Sequence, residues 1–399
     1  MKILSFGHIP TWAGGKQESG LANVIYQLAK HGSEVEDVDY VLAATDCFVP
    51  ERTDGRLTIL GWTKPSLINY VISHPLGSFR NLMALQKLKK AYPIKERFWG
   101  LYLKRIFFEK SVKRIKPQIV HLHGTHAMWY VDMVPNQAQI AITFHGINGL
   151  DKNVSQHEVL FAMERDLFRS ERVSGMFFIC TKLVDDFKTA YGENCKKNSV
   201  IFNSYDSSKF FLDKRCCEDI RNEQKLTTLC TIASLSELKG QSRVLIGLNM
   251  LSEKKRFRYF CIGGDSLGIA KSLEAYAKEH SIDFDYLGKM KPEEIRHQLQ
   301  SADYMIMPSS SEGFGLTYLE AIACGVPVIL PRDIPIALEK ELINKHNSIL
   351  LDDCSAESIT KVLQEINNYH FQKDEVAASI AGVSWDEVAR QYVEAFKEL

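Results

Sequence analysis

The chain has 399 residues, which is long enough for two domains of ordinary size. Its 49 basic and 49 acidic residues give a formal net charge of zero, so global charge favours no nucleic-acid partner. The composition is that of a globular protein, with 45% hydrophobic residues, and no stretch reaches the roughly eighteen apolar residues of a membrane span.

The cysteines and the first residues both indicate a reducing compartment. There are nine Cys, an odd number, with no CxxC pair and no Cys/His ligand spacing. Free thiols in the cytosol are therefore expected. The apolar run after Met1 is shorter than that of a signal peptide, and we expect a cytoplasmic protein.

The first predicted strand covers residues 2–6 and is followed by a loop that contains Gly14 and Gly15. A helix follows, because apolar residues recur there at helical spacing, and Gly32 ends it. Strand, glycine pair and helix form a layout that can cradle a phosphate. The GxGxxG pattern is absent, so a plain tight turn is an equally open interpretation.

Residues 80–116 have the most unusual composition in the chain. Twelve basic residues and two acidic residues give a local charge of 12 − 2 = +10, and six aromatic residues are interleaved with them. Helices with a basic face and aromatic edges are typical of proteins that bind an anionic membrane surface. The alternative is a set of solvated helix faces whose aromatic residues lie in the core.

Two predicted strands of the first half end in histidines. The strand at 118–122 leads into His123, and the strand at 140–144 leads into His145. The carboxyl end of a strand in an α/β sheet borders the ligand crevice, so polar side chains at these two ends could meet a ligand. His121 and His123 are interpreted as structural, because a zinc site would need a third ligand that the sequence does not offer.

The second half begins with a strand at 228–233, and Lys239 and Gly240 follow it. The sequence Asp283-Phe284-Asp285 has a DxD pattern, in which two carboxylates could hold a divalent metal. It stands at the start of a predicted strand, the wrong end for a ligand site, so we predict no metal there.

The stretch 303–330 is the most informative part of the chain. A short strand ends at Pro308, a polar loop follows, and a helix begins near Leu316 and stops at Gly325. The glycines of the loop let backbone approach a ligand, and the open N–H groups of the helix start favour an anion. Two carboxylates, Glu312 and Glu320, flank this position, which fits a diphosphate with a sugar on each side. The alternative is one carboxylate that stabilises the helix dipole and one that is solvated.

Alternating strands and helices predict parallel sheets. We therefore expect an α/β protein with two Rossmann-like domains, their glycine loops facing each other across a cleft.

The sequence also resembles a known family. Glu312-x7-Glu320 stands within PSxxEGFGLxxLEAxAxGxPV, which is similar to the signature of retaining glycosyltransferase family 4. The run 143–146, TFHG, and the segment 200–210 are similar to further motifs of that family. The resemblance implies the GT-B architecture, with an acceptor-side domain at 1–205, joined by a helix at about 384–399. The nucleotide-sugar domain would cover 206–383, and the polar segment 207–225 suits the hinge.

The resemblance also implies site residues. Glu312, His145 and Lys239 would form the catalytic set, and Glu320 would bind the ribose. The remaining donor-binding positions would be Gly14, Gly15, Ser234, Lys289, Met290, Gly313, Phe314, Gly315 and Leu316. Ser234 stands where the family has an Arg that grips the diphosphate. Either donor binding is weaker here or another cation, such as Lys289, takes over.

The implied activity is retaining transfer of a hexose-type sugar from a nucleotide diphosphate sugar, UDP favoured over GDP, to an acceptor hydroxyl. The setting would be synthesis of a bacterial cell-surface polysaccharide, such as lipopolysaccharide or capsule, or of a glycolipid. The acceptor would be lipid-linked or an oligosaccharide, at the inner face of the cell membrane, and no metal or cofactor is expected. The alternatives are a nucleotide-sugar-binding homologue without transferase activity, a nucleotide-sugar epimerase and a glycogen-type phosphorylase.

Overall fold

A computed structural model describes residues 1–16, 19–150, 154–193, 197–213 and 226–399. The chain divides into two compact units, Met1–Asn203 with Trp385–Leu399, and Ser204–Ser384. Six cysteines of the described residues are free thiols, while Cys195, Cys216 and Cys217 lie outside the described residues. Most of the expected hinge, 214–225, also lies outside them.

The N-terminal unit is built on an eight-stranded sheet. Seven strands are parallel, and the short third strand pairs antiparallel with the fourth. The order is β3-β4-β2-β1-β5-β6-β7-β8. In chain order the strands are β1 Lys2–Gly7, β2 Asp39–Ala44, β3 Arg52–Asp54, β4 Leu57–Leu60, β5 Ile119–His123, β6 Gln139–Phe144, β7 Gly175–Phe178 and β8 Lys197–Val200. The central strands are almost entirely buried, as expected for a sheet with helices on both faces.

Seven α-helices belong to the described part of this unit: α1 Gly20–Glu34, α2 Lys64–Ser73, α3 Pro75–Ala91, α4 Phe98–Ile115, α5 His157–Arg169, α6 Thr181–Tyr191 and, from the other end of the chain, α14 Trp385–Lys397. The N-cap side chain of Ser19 accepts the Ala22 N–H and so starts α1. Helix α14 is fixed to this unit by His31, whose Nδ1 lies 2.7 Å from an Asp386 carboxylate oxygen.

The C-terminal unit contains a six-stranded parallel sheet in the order β11-β10-β9-β12-β13-β14. The strands are β9 Thr227–Ile232, β10 Phe257–Ile262, β11 Asp283–Tyr286, β12 Tyr304–Ile306, β13 Val328–Pro331 and β14 Ser348–Leu351. This order is 3-2-1-4-5-6, the arrangement of the doubly wound nucleotide-binding fold. The strands β10 and β11 lie on one side of β9, and the strands β12 to β14 lie on its other side. The strand order therefore reverses at the boundary between β9 and β12.

The helices of the C-terminal unit are α7 Gln241–Asn249, α8 Ala270–Glu279, α9 Pro292–Ser301, α10 Leu316–Ala323, α11 Pro335–Leu338, α12 Ala356–Gln364 and α13 Lys373–Ala378. One apolar cluster joins β9 and β10 to α7, α8 and α12. Two parallel α/β sheets confirm the predicted fold class. No helix in the described parts of the chain is long and apolar enough to span a bilayer.

Candidate active site

The strand order of the C-terminal unit selects one place for a ligand. At the β9–β12 boundary the connections leave towards opposite faces of the sheet, so the loops after these two strands separate and leave a crevice. The loop after β9 covers residues 233–240, and the loop after β12 covers residues 307–315. These are the loops that carry Lys239 and Glu312.

Hydrogen bonds to backbone carbonyl groups join the two loops and the start of α7. The Ser310 N–H donates to the Leu238 carbonyl oxygen over 2.8 Å, and the Arg243 guanidinium donates to the Pro308 carbonyl oxygen over 2.8 Å. Gly240 adopts a left-handed conformation with φ +79°, and a Cβ there would lie 2.6 Å from the Pro308 carbonyl oxygen. Glycine is therefore required at 240 for the loops to meet.

Lys239 and Glu312 form an ion pair across these loops. The Lys239 Nζ lies 2.6 Å from Glu312 Oε1, and the two side chains are 27% and 7% exposed. A carboxylate with so little exposure needs a cation or donors to remain charged. The pair therefore holds one positive and one negative group side by side at the mouth of the crevice, where each can turn to a ligand.

Helix α10 begins directly behind this pair. Gly315 is its N-cap with φ +96°, and a Cβ there would lie 2.6 Å from the Tyr318 ring. As far as the structure describes the chain, no protein acceptor takes the N–H groups of Gly315, Leu316 or Thr317. Free amides and the positive end of the helix dipole favour an anion here. Gly313 and Phe314, two further predicted residues, form the approach to this helix end.

Glu320 lies one turn further along α10. Burial raises the pKa of this carboxyl from its ordinary value to about 7, the Asp206 carboxylate raises it too, and Lys209 opposes them. Asp206 and Lys209 form an ion pair of 2.9 Å. Burial raises the pKa of Asp206, but hydrogen bonds from Ser208 and Lys209 outweigh burial and hold this pKa below its usual range. Glu320 is thus a carboxyl poised between its charged and neutral forms near neutral pH.

Ser234 and Lys289 border the same glycine. A Cβ on Gly264 would lie 2.9 Å from Cε of Lys289 and 3.9 Å from Oγ of Ser234. The stem of Lys289 therefore runs beside the exposed Ser234, at the carboxyl ends of β9 and β10. Met290 follows it, partly buried.

The expectation that Gly14 and Gly15 offer amides to a phosphate is wrong for this structure. The Gly14 N–H donates to the Thr11 carbonyl and the Gly15 N–H to the Pro10 carbonyl, both inside the loop. A Cβ on Gly15 would lie 1.9 Å from the Ile9 carbonyl oxygen. The glycines are needed to close a tight turn, because the loop uses their donors itself.

His145 belongs to a short chain of hydrogen bonds in the N-terminal unit. Its Nε2 lies 3.2 Å from Nδ1 of His123, whose Nε2 lies 3.1 Å from the Ser5 hydroxyl. Burial lowers the pKa of His145 to about 3, so the ring is neutral at pH 7. The other ring nitrogen, Nδ1, is buried and has no hydrogen-bond partner in the described part of the protein.

This arrangement links the tautomers of the two rings. If His123 donates to Nε2 of His145, then Nδ1 of His145 carries the proton and is a donor. If Nε2 of His145 donates to His123 instead, Nδ1 of His145 has no proton and is an acceptor. His123 was interpreted as structural from the sequence, yet it sets the hydrogen-bonding state of the candidate residue. The signal was present: β5 and β6 are neighbours, and a histidine stands at or just after the end of each.

Arg105 of the basic segment and Asp285 of the DxD sequence both have charged partners within the protein. Arg105, counted within the basic segment, is 1% exposed. Its guanidinium binds both Asp132 carboxylate oxygens, at 2.9 and 2.8 Å, and the Asn81 side chain, so it is a structural residue and contributes no surface charge. Asp285 of the DxD sequence forms an ion pair with Arg258 at 2.8 Å, and Asp283 begins β11.

Residues 218–376 match the family described as Glycosyl transferases group 1. This match covers most of the C-terminal unit, including both loops of the candidate site. Residues 218–376 are thus similar to the group 1 glycosyl transferases. The resemblance noted in the sequence is confirmed at the level of this family.

Individual proteins agree with that placement. Over 153 residues the chain is 31% identical to the O-antigen biosynthesis glycosyltransferase WclY of Escherichia coli, a match that covers 36% of this chain and 39% of WclY. The chain thus spans about two fifths of that relative.

Two solved structures share the fold. Sucrose-phosphate synthase from Thermosynechococcus elongatus has a TM-score of 0.72 at 12% identity, covering 100% of this chain and 99% of that one. Anabaena Alr3699/HepE, solved with UDP and glucose, has a TM-score of 0.65 at 14% identity, covering 100% of both chains.

Within the C-terminal unit, two residues of the candidate site had not been selected from the sequence. Asp206 and Lys209 both act on Glu320. They stand in the segment 200–210 that was noted for its resemblance, so a reading of that segment for charge would have found them.

Proposed function

We propose that this protein transfers a hexose-type sugar from a nucleotide diphosphate sugar to an acceptor hydroxyl, with retention at the anomeric carbon. The observation that carries the proposal is the Lys239–Glu312 pair at the free N-terminus of α10, on the two loops of the β9–β12 switch point. A cation and free amides suit a diphosphate, and carboxylates suit sugar hydroxyls.

The proposed reaction has the following bond changes. The bond between the anomeric carbon and the diphosphate oxygen breaks, and the nucleoside diphosphate leaves with the electron pair. The acceptor oxygen forms its bond on the same face, and its proton passes to the departing phosphate. Lys239 and the amides of α10 stabilise the charge that grows on the leaving group, which is where preorganised donors lower a barrier most. No protein nucleophile is needed.

Glu312 and Glu320 would take the two ends of the donor. Glu312 would lie beside the diphosphate and accept hydrogen bonds from the sugar. Glu320 would accept the ribose hydroxyls. His145, neutral at pH 7, would hydrogen-bond the sugar through the ring nitrogen that has no partner within the described protein. The donor is proposed as a UDP-sugar rather than a GDP-sugar, which is consistent with the UDP bound to the Anabaena structure.

The setting proposed for the reaction is synthesis of a bacterial cell-surface polysaccharide or glycolipid. The similarity to an O-antigen biosynthesis glycosyltransferase supports it. The acceptor would be a lipid-linked or free oligosaccharide in the cytoplasm, and no metal or other cofactor is proposed.

Turnover with defined anomers tests the proposal. The protein is incubated with UDP-hexoses and GDP-hexoses and a mixture of lipid-linked and free oligosaccharide acceptors, and nuclear magnetic resonance follows the anomeric proton. We expect release of UDP and a product with the anomeric configuration of the donor. Glu312→Ala should lower kcat/KM by roughly 10- to 100-fold, because a charged hydrogen bond contributes about 1.5–3 kcal/mol.

The matched control is Glu274→Ala, an exposed carboxylate on α8, which should leave kcat/KM unchanged. Inverted product would contradict retention. Tight nucleotide binding without turnover on any acceptor would favour the binding-only homologue, for which Ser234 in place of a cation is the specific observation. Free sugar released from donor alone would instead indicate an epimerase.

A further inference from the structure

The outward faces of α2 and α3 expose large apolar side chains. Five such residues, between 49% and 77% exposed, form what we call the apolar stripe: Ile68, Ile72, Leu76, Phe79 and Met83. They recur at spacings of three and four, so each helix presents them along one side. The two helices are consecutive, joined by His74 alone.

The stripe is not the side that holds these helices in the fold. Ser78, Asn81 and Leu85 are the buried residues of α3, and they lie on the opposite side of that helix from Phe79 and Met83. In α2 the buried residues are Leu67 and Tyr70. The inward sides pack against α4, so the folded unit leaves the stripe in solvent. Large apolar side chains exposed along one side of two consecutive helices are typical of an interaction surface.

Cations accompany the stripe and acids do not. Arg80, Lys87 and Lys90 are exposed on the same side of α3, one or two turns from Phe79 and Met83. None of them forms an ion pair within the described residues. Between Gly55 and Lys95 the sequence contains no Asp or Glu. The surface is therefore apolar and positively charged at once.

We propose that the outward face of α2 and α3 binds the surface of a lipid bilayer that contains anionic lipid. The apolar stripe would enter the boundary between headgroups and acyl chains, while Arg80, Lys87 and Lys90 would contact lipid phosphates. A protein partner would need a matching acidic apolar face, whereas an anionic bilayer supplies both properties everywhere. The proposal does not depend on the proposed sugar transfer.

The face differs from the basic segment that composition alone suggests. Arg105 is buried, Lys104 pairs with Glu96 at 3.0 Å, and Lys113 pairs with Glu109 at 2.6 Å. These three cations of α4 each have a carboxylate partner within the unit, so they add little net charge to its surface. The proposed membrane contact therefore lies on α2 and α3 rather than on α4. It includes apolar residues that a count of charges does not reveal.

Sedimentation with vesicles tests the face. The full chain is mixed with vesicles of phosphatidylcholine alone, or with phosphatidylglycerol added, at about 0.1 M and at about 1 M salt. We expect sedimentation with the anionic vesicles at low salt. Arg80→Gln with Lys87→Gln and Lys90→Gln should weaken low-salt binding about 100-fold, since each cation near an anionic surface contributes about fivefold.

The apolar stripe is tested separately with Phe79→Ser and Met83→Ser. This pair should weaken binding about tenfold or more at either salt concentration, because burial of apolar area is not screened. Two matched controls should bind as the wild type does. One is Lys255→Gln with Lys271→Gln and Lys278→Gln, and the other is Ile246→Ser with Met250→Ser, all exposed in the C-terminal unit.

Circular dichroism and nucleotide binding report whether each variant remains folded, and the exposed positions predict that all do. Absence of wild-type sedimentation with anionic vesicles at low salt would overturn the proposal. So would equal binding by the apolar variant and its control. A wild-type dimer in solution that Phe79→Ser with Met83→Ser converts to a monomer, without vesicle binding, would assign the face to a second copy of the chain instead.

Discussion

At the scale of single residues, the two carboxyl groups of the candidate site differ in the charged groups that lie beside them. Glu312 is neutralised by Lys239, and Glu320 has Asp206 and Lys209 beside it. The first carboxyl is held by a direct ion pair, while burial dominates the second. Glu320 can therefore respond to pH in the physiological range, since its pKa is raised to about 7.

Glu320 predicts a pH dependence of donor affinity. If its carboxylate accepts the ribose hydroxyls, the charged form binds better, so the Kd for a UDP-sugar should fall as pH rises through about 7. A UDP-sugar is the suitable probe because its diphosphate diester keeps a constant charge over this range. Calorimetric titration from about pH 6 to about pH 8 measures the effect, and Glu320→Gln should flatten the profile. An unchanged slope in the variant would remove Glu320 from the donor site.

The raised pKa of Glu320 also predicts how the stability of the ligand-free protein changes with pH. Its folded pKa lies above the unfolded value, so the folded chain keeps a proton that the unfolded chain releases. The free energy of unfolding should therefore fall as pH rises from the ordinary value of 4.5 to about 7. Urea unfolding of the wild type and of Glu320→Gln gives the difference, which isolates Glu320 from Glu164, whose pKa burial also raises.

Residue spacing allowed part of this site to be predicted. Glu312, Glu320 and Lys239 follow from a strand, a glycine loop and a helix, which are local patterns. The misplaced residues are those whose role depends on the tertiary neighbourhood. Arg105 counts as a surface cation in the sequence, and only the fold shows that Asn81 and Asp132 enclose it. The Gly14 and Gly15 amides were misassigned because local sequence does not reveal that Thr11 and Pro10 accept them.

At the scale of elements, the start of α10 determines the anion seat. Gly315 has φ +96°, a conformation that disfavours any side chain, and the Tyr318 ring fills the space where a Cβ would stand. The strand and the helix around it were predicted to within a few residues, because Pro308 and Gly325 mark both ends. The left-handed N-cap was not predicted, since it depends on packing against Tyr318.

Gly315→Ala should therefore lower the free energy of unfolding by roughly 1–3 kcal/mol, because the backbone must leave its left-handed conformation or remain strained. Donor affinity should fall as well, since the amides of α10 move with it. The midpoint of urea unfolding measures the first effect and calorimetry the second. Gly382→Ala is the control, because a Cβ there meets no atom within 4 Å. Equal midpoints for the two variants would mean that the turn at 315 is relaxed.

The DxD sequence on β11 gives a prediction at the same scale. With Lys239 and backbone amides as the proposed diphosphate ligands, turnover should persist in EDTA. Asp283→Asn with Asp285→Asn should leave kcat/KM unchanged, because Asp285 already pairs with Arg258. Loss of turnover in EDTA with rescue by manganese, together with inactivity of the double variant, would make these carboxylates metal ligands.

At the scale of the whole molecule, the alternation of strands and helices was enough to predict two parallel α/β sheets. Sequence alone did not give the strand order, which locates the switch point between β9 and β12 and thereby selects the two functional loops. It also did not separate the apolar stripe from the core, because residues at helical spacing are expected to be buried. Exposure is a property of the packed unit.

The central claim is that the loops after β9 and β12 bind a nucleotide diphosphate sugar through Lys239. Thermal unfolding with and without UDP-sugars and GDP-sugars tests it most directly, with Lys239→Met beside the control Lys271→Met, an exposed lysine on α8. A donor at 100 times its Kd should stabilise the wild type and the control by about 2.7 kcal/mol, and Lys239→Met should lose most of this. Stabilisation of Lys239→Met equal to that of the wild type, or no stabilisation of the wild type by any nucleotide sugar, would contradict the account.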